Sequence, residues 1–218
     1  MKNAEFIKRE AINWIIILLP FIYILLVSDK LPKFAPFQIN REQSIYQVIL
    51  FVMGVSIFTY IVLLIKPSIV PKTAFNENLR SFHRIKTLIL AWTSILSMAF
   101  ISYKIGIAFN WSKITFILAF VFMMAMGNLY PTIRFNYFFG IKNIWTQNNE
   151  LIWKKTHQFA GKVYFFGGLV GALYGIFFNV NPVAYMPVIV VGFVFALGFV
   201  SKGYSFLLFR KLQSQHQD

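Results

Sequence analysis

The sequence lacks cysteine and has few charged residues. None of the 218 residues is Cys, and only 13% are Asp, Glu, Lys or Arg, which is about half the usual share for a soluble domain. The absence of Cys excludes disulfides, thiolate catalysis and metal sites that use Cys ligands. Because 58% of the residues are hydrophobic, the polar residues are too few to cover a soluble protein. A lipid bilayer is therefore the expected solvent.

The usual catalytic signatures are missing as well. The chain has no HExxH pair, no GxSxG turn and no glycine-rich phosphate-binding loop. Its apolar segments contain almost no Asp or Glu, whereas ion-coupled transporters usually need carboxylates within the membrane. We therefore expect no catalytic residue, no metal and no cofactor. A membrane-embedded enzyme with an inner-surface site for a lipid-linked substrate and a small transporter stay open as alternatives to a binding protein.

Six apolar segments make up most of the chain. Each has 17 to 21 residues, enough for a helix that crosses about 30 Å of hydrocarbon. A helix is the expected form, because a lone span must satisfy its own backbone hydrogen bonds. The sequence thus predicts an all-α, polytopic integral membrane protein with six transmembrane helices in a single domain, residues 1–218. The predicted spans are 11–27, 45–65, 87–103, 114–130, 161–178 and 183–200.

The basic residues are distributed unevenly between the two sides of these spans. The chain has 21 Lys and Arg and a formal net charge of +14. With the N-terminus inside, 16 of the 21 lie in cytoplasmic segments and 5 lie outside, so the positive-inside rule places both termini in the cytoplasm. The charge then sets topology and contacts the anionic inner leaflet. We expect no direct contact with nucleic acid.

A polar and aromatic segment, residues 136–159, separates the fourth and fifth predicted spans. Asn148 or Asn149 is a suitable N-cap for a helix there, and Glu150 in the first turn suits the helix dipole. The helical period places one stripe of residues on a single face, which we expect to pack against the ends of the two spans. The members of this stripe are Glu150, Trp153, His157 and Gly161.

The loop before this helix, residues 131–146, is predicted to be ordered. Pro131 prevents a simple continuation of the fourth helix, and Gly140 marks a turn. Burial of the loop's aromatic side chains, including Trp145, would hold it in place. Glu150 and His157 are about 10 Å apart along the helix axis, too far to bind one metal ion. For His157 we therefore favour a hydrogen-bonded or stacked structural role over a catalytic or proton-relay role.

The fifth predicted span is rich in glycine. Gly167, Gly171 and Gly175 are spaced by four, a repeated small-xxx-small pattern that lets helices approach closely. We favour packing within one chain over formation of an oligomer through this face. A peptide-binding groove is a third interpretation.

An ordered set of residues from the end of the fourth span to the fifth resembles the SdpI family of bacterial membrane proteins. The resembling region, residues 120–205, covers spans four to six and includes the motif loop 131–160. Lys142-Asn143-Ile144 stands where the family has Arg-Thr-Pro, and only Leu31-Pro32 remains of an element that many relatives carry in their first outer loop. The matching residues are Gly127, Asn128, Pro131, Asn136, Phe138, Gly140, Ile141, Trp145, Thr146, Glu150, Trp153, Lys155, Thr156, His157 and Gly161.

The resemblance implies a multi-pass protein of the bacterial cytoplasmic membrane that is not an enzyme. Members of this family confer immunity to a secreted, membrane-active peptide or protein toxin. In one branch the toxin-bound protein also signals, because it holds a cytoplasmic transcriptional repressor at the membrane. The resemblance therefore implies toxin binding, with the motif residues, including Lys142, as candidates for contact with a partner.

Overall fold

A computed structural model of the chain describes residues 2–30, 52, 54–64, 72–137, 139–178 and 186–215. Within these ranges there are seven α-helices, two short 3-10 turns and no β-strand. The turns are Ser28–Lys30 and Tyr130–Thr132. The helices are α1 (Lys2–Leu26), α2 (Gly54–Leu64), α3 (Lys72–Lys104), α4 (Trp111–Leu129), α5 (Ile144–Gln147), α6 (Glu150–Phe177) and α7 (Met186–Ser214).

Four stretches in the described part of the chain are long and apolar enough to cross a membrane. They correspond to the predicted spans three to six, and they confirm an all-helical, multi-pass architecture. The first predicted span, 11–27, overlaps a shorter apolar helix, Glu10–Leu26. Most of the second, residues 45–65, lies outside the described residues, so the count of six stays a prediction. The four stretches are Asn78–Lys104, Trp111–Thr132, Glu150–Phe177 and Val188–Ser214.

The contacts within the chain divide it into two compact units. The single domain over residues 1–218 therefore stays a prediction. The first unit comprises Met1–Ile69 and Lys86–Trp111. In it, α1 and α3 run in the same direction, because they make contacts at corresponding ends. Lys86 Nζ lies 2.9 Å from Glu10 Oε2 near one end, and the Tyr23 hydroxyl lies 2.7 Å from Ser102 Oγ near the other.

The second unit comprises Val70–Ile85 and Ser112–Asp218. Its core lies between α4, α6 and α7. The rings of Phe159 on α6 and Tyr204 on α7 stack with 4.1 Å between their centroids. Further along, the Tyr164 hydroxyl donates to the Val194 carbonyl at 3.3 Å, so α6 and α7 are antiparallel. The buried core residues are Phe116, Phe120, Met123, Ala160, Tyr164 and Ala172.

Glycines bring the backbones of α4 and α6 together. A Cβ atom on Gly168 would lie 2.6 Å from the Met124 nitrogen and 2.7 Å from the Phe120 carbonyl oxygen, and one on Gly161 would lie 2.9 Å from the Gly127 carbonyl oxygen. Both approaches are closer than real Cβ atoms tolerate. These two positions of α6 therefore have room only for hydrogen.

The glycines predicted to share one face divide between two partners. Gly171 and Gly175 face the Phe120 and Phe116 rings of α4, whereas Gly167 faces Phe193 and Leu197 of α7. The physical reason is helical drift, because each step of four residues rotates the face by about 40°. A spacing of seven drifts by only about 20°. The glycines of α6 that face α4 are accordingly Gly161, Gly168, Gly171 and Gly175.

Candidate functional site

The candidate site is built on the connecting segment, residues 130–149, which joins α4 to α6. It begins with the 3-10 turn Tyr130–Thr132, where Pro131 occupies an early position. A Cβ atom on Gly161 would lie 2.7 Å from Cγ of the Pro131 ring. The turn can therefore close onto α6 only because residue 161 has no side chain.

Side chains from α3 and α6 bind the backbone at the end of this turn and immediately after it. Ser81 Oγ donates to the Thr132 carbonyl at 2.6 Å, and the Arg134 backbone N–H donates to Asn78 Oδ1 at 2.9 Å. Trp153 Nε1 donates to the Ile133 carbonyl at 3.1 Å. Backbone groups of a connecting segment would otherwise need water as partner, so these bonds order residues 132–134.

Trp153 and His157 form the centre of the site. Both are about 1% exposed, and their rings stack with 4.2 Å between centroids. The Ile141 backbone N–H donates to His157 Nε2 at 3.0 Å, and His157 Nδ1 lies 2.9 Å from the Trp153 carbonyl oxygen. Since the first partner can only donate and the second can only accept, the geometry requires a neutral imidazole with its proton on Nδ1.

Gly140 lets the connecting segment pass directly over these rings. Its φ angle is +121°, a conformation that residues with side chains rarely adopt. A Cβ atom there would also lie 2.6 Å from His157 Nε2 and 3.0 Å from the Trp153 ring. The predicted turn at Gly140 is confirmed, and its glycine is needed for both backbone conformation and space.

Two asparagines and a threonine fix the rest of the segment. Buried Asn136 donates through Nδ2 to the Arg134 carbonyl at 2.7 Å and accepts from the Phe139 N–H at 2.9 Å. Asn143 caps α5, since its Oδ1 accepts from the Thr146 N–H at 2.9 Å while Thr146 Oγ1 accepts from the Asn143 N–H at 3.0 Å. Thr146 is completely buried. The predicted ordered loop is thereby confirmed for the described residues.

Contacts to α7 complete the attachment. Asn143 Nδ2 donates to Ser205 Oγ at 2.8 Å, and the half-buried Trp145 lies beside Phe206 with 5.1 Å between ring centroids. The Asn149 side chain accepts from two N–H groups in the first turn of α6, which confirms the second of the two predicted caps.

Four of the predicted site residues lie apart from this buried cluster. Glu150, Lys142, Lys155 and Asn128 are exposed. The expectation that Glu150 packs with Trp153 and His157 is wrong, because residue 150 is the first of the helix and its side chain points outward. Its position still suits the helix dipole.

Sequence reasoning missed four residues that hold the site together: Asn78, Ser81, Asn143 and Ser205. Asn78, Ser81 and Ser205 are distant in sequence from their partners and gave no local signal. Asn143 could have been found from the sequence, because Asn143 and Thr146 have the spacing of a capping box. In this pattern the N-cap side chain bonds the backbone three residues later, and the side chain of that later residue bonds the N-cap backbone.

The hydrogen bonds of this arrangement hold the connecting segment in one ordered conformation. Both ring nitrogens of His157 are engaged in hydrogen bonds, so neither is available to take a proton from a substrate. Across the described ranges, His, Asp and Glu side chains form no group of three that could hold a metal ion. The exposed polar residues around the buried cluster are the part of the site that a partner could reach.

Comparisons with known proteins match the part of the chain that contains this segment. The sequence pattern of the SdpI/YfhL protein family matches residues 132–204, which contain the connecting segment from Thr132 onward, α6 and most of α7. The immunity protein SdpI of Bacillus subtilis (strain 168) is 26% identical over 193 residues, and the match covers 84% of this chain and 89% of that protein. No solved structure matches the chain.

Proposed function

We propose that the chain is a member of the SdpI/YfhL family of multi-pass bacterial membrane proteins, and that it protects the cell from a secreted, membrane-active toxin by binding that toxin. The observation that carries this proposal is the similarity to an immunity protein along 84% of the chain. A match of that extent includes spans as well as the connecting segment, and so it supports a similar membrane body as well as a similar motif.

Binding rather than catalysis is the mode of action that the site supports. The residues of the family motif that are buried, including Asn136, Thr146 and His157, use their polar atoms to hold the connecting segment. A protein that works by binding needs an ordered surface, and these contacts provide one. The absence of enzymatic activity is part of this proposal.

A signalling role would rest on the exposed face of the connecting segment. The connecting segment is ordered and presents exposed Lys142 and Tyr137, on the side that the charge distribution predicts to be cytoplasmic. A cytoplasmic repressor could be held there once toxin is bound. This extension predicts that a repressor co-purifies with the membrane protein only when toxin is present.

The direct test of the proposal is co-purification with toxin. The full chain would be reconstituted in lipid nanodiscs and incubated separately with each secreted peptide or protein encoded near its gene. We expect one of these to be retained at near-stoichiometric amounts, and an unrelated polytopic protein in identical nanodiscs to retain none of it. Failure to retain any of them, with the chain monodisperse throughout, would contradict toxin binding.

A further inference from the structure

A groove of about 540 Å³ lies between the first part of α6 and the last part of α7. Lys155 and Lys162 contribute to its α6 wall and Lys211 to its α7 wall. Lys155 and Lys162 are two helical turns apart and thus lie on the same side of α6. The groove is separate from the buried Trp153–His157 cluster.

The groove is positively charged. No Asp or Glu is among its lining residues, and its other polar groups are the amides of Gln158 and Gln215 and the hydroxyl of Tyr204. In the part of the chain that the structure describes, the three ammonium groups form no ion pair. Three cations around a concave surface without a carboxylate favour an anionic ligand.

Aromatic and aliphatic side chains line the groove together with these lysines. Phe159 stacks on Tyr204 with an interplanar angle of 15°, and Leu151, Leu208 and Leu212 extend the same surface. A soluble anion such as free phosphate would bind the lysines and leave this surface uncovered. A ligand with an anionic head and an apolar body would cover both.

The position of the groove favours a lipid as that ligand. The groove lies where the long apolar stretches of α6 and α7 become basic, at the level where a bilayer's headgroups meet protein. Anionic lipids attract Lys and Arg at the cytoplasmic surface, and the charge distribution of the chain predicts that the beginning of α6 and the end of α7 are cytoplasmic.

We propose that this groove is a specific site for an anionic phospholipid of the inner leaflet. The lysine ammonium groups bind its phosphate, and the beginning of its acyl chains lies on Phe159, Tyr204 and the neighbouring leucines. This site does not depend on the immunity function, because its chemistry follows from the groove alone.

The test compares two double variants that remove the same charge from the same region. Lys155→Gln with Lys162→Gln removes two cations of the groove. Lys154→Gln with Lys202→Gln removes two exposed cations of α6 and α7 that do not line it. All four lysines are exposed, so both proteins should remain folded and monodisperse. Lys211→Gln provides a third, independent variant on the opposite wall.

Binding is measured by native mass spectrometry of the full chain with phosphatidylglycerol, with zwitterionic phosphatidylcholine and with inorganic phosphate as competitor. We expect wild type to prefer phosphatidylglycerol, and the groove variant to bind it about tenfold or more weakly. The Lys154/Lys202 variant should bind as wild type does, and Lys211→Gln should reduce binding.

Three results would overturn the proposal. Equal binding of the two lipids by wild type would show that the groove does not select an anionic headgroup. Equal loss in both double variants would show that the attraction is diffuse. Full displacement of the lipid by millimolar phosphate would identify a soluble phosphate ligand instead.

Discussion

The indole of Trp153 and the imidazole of His157 stack one helical turn apart, with 4.2 Å between centroids and 24° between ring planes. Each ring also holds the connecting segment, Trp153 through the Ile133 carbonyl and His157 through the Ile141 N–H. Two residues one turn apart on α6 thus bind the backbone of the connecting segment at two points that are eight residues apart. The stacked pair therefore connects α6 to the connecting segment at two points.

We expect Trp153→Ala to lower the amount of folded protein strongly. Truncation of a buried Trp costs about 3 to 5 kcal/mol, a large part of the stability of an ordinary domain, and here the Ile133 carbonyl also loses its donor. Lys154→Ala, at an exposed neighbouring position, should leave the amount unchanged. The measurement is monodisperse, detergent-extracted protein per cell.

An abundant but inactive Trp153→Ala protein would contradict this account of the stack. The side chain would then act in contact with a partner, and its burial in the free protein would be incidental to its role.

The close approach of α4 and α6 gives a second matched pair. Gly168→Ala places a Cβ atom against backbone atoms of Phe120 and Met124, which cannot move aside as a flexible side chain can. We expect a loss of about 1 to 3 kcal/mol. Gly203→Ala, in α7 with nothing within 4 Å of its Cβ position, should be neutral or stabilise by about 0.5 to 1 kcal/mol.

Thermal unfolding of the two purified proteins in the same detergent distinguishes these effects. If Gly168→Ala is as stable as wild type, the two helices separate more easily than their backbone contact implies.

The ion pair between Glu10 and Lys86 gives a prediction for the first unit. Lys86 is about 2% exposed, its Nζ lies 2.9 and 3.0 Å from the two Glu10 oxygens, and it lies over the Tyr60 ring. Lys86→Met leaves the carboxylate without this cation and should cost about 3 to 5 kcal/mol. The double variant with Glu10→Gln should recover part of that loss.

A double-mutant cycle measures this coupling. It compares the melting temperatures of the wild type, the two single variants and the double variant. Additive effects of the two changes would mean that the pair contributes no coupling energy.

Much of the fold could be predicted from sequence because its signals are local. The apolar lengths of spans three to six, the Asn149 cap and the turn at Gly140 depend on neighbouring residues. The Glu10–Lys86 pair and the Asn143–Ser205 bond join residues 76 and 62 positions apart, and no local pattern marks such contacts. The error at Glu150 arose because helical spacing predicts a common face but not where packing along that face begins.

The uneven distribution of basic residues predicts that both termini lie in the cytoplasm. Reporter fusions at Asp218, which is outside the described residues, and next to Lys142 should both give a cytoplasmic signal. The charge bias gives the physical reason, because cytoplasmic loops retain Lys and Arg. A signal from outside the cell at either position would require a different number or orientation of spans.

Survival of a sensitive bacterium exposed to toxin tests the central claim most directly. Cells expressing the wild-type gene, the Lys154→Ala variant or an empty vector would be exposed to increasing concentrations of each secreted toxin encoded near the gene. We predict that the first two survive a concentration of one toxin that kills the vector cells. Death of all three at the same concentration for every toxin, with the wild-type protein abundant in the membrane, would contradict the proposal that this chain is an immunity protein.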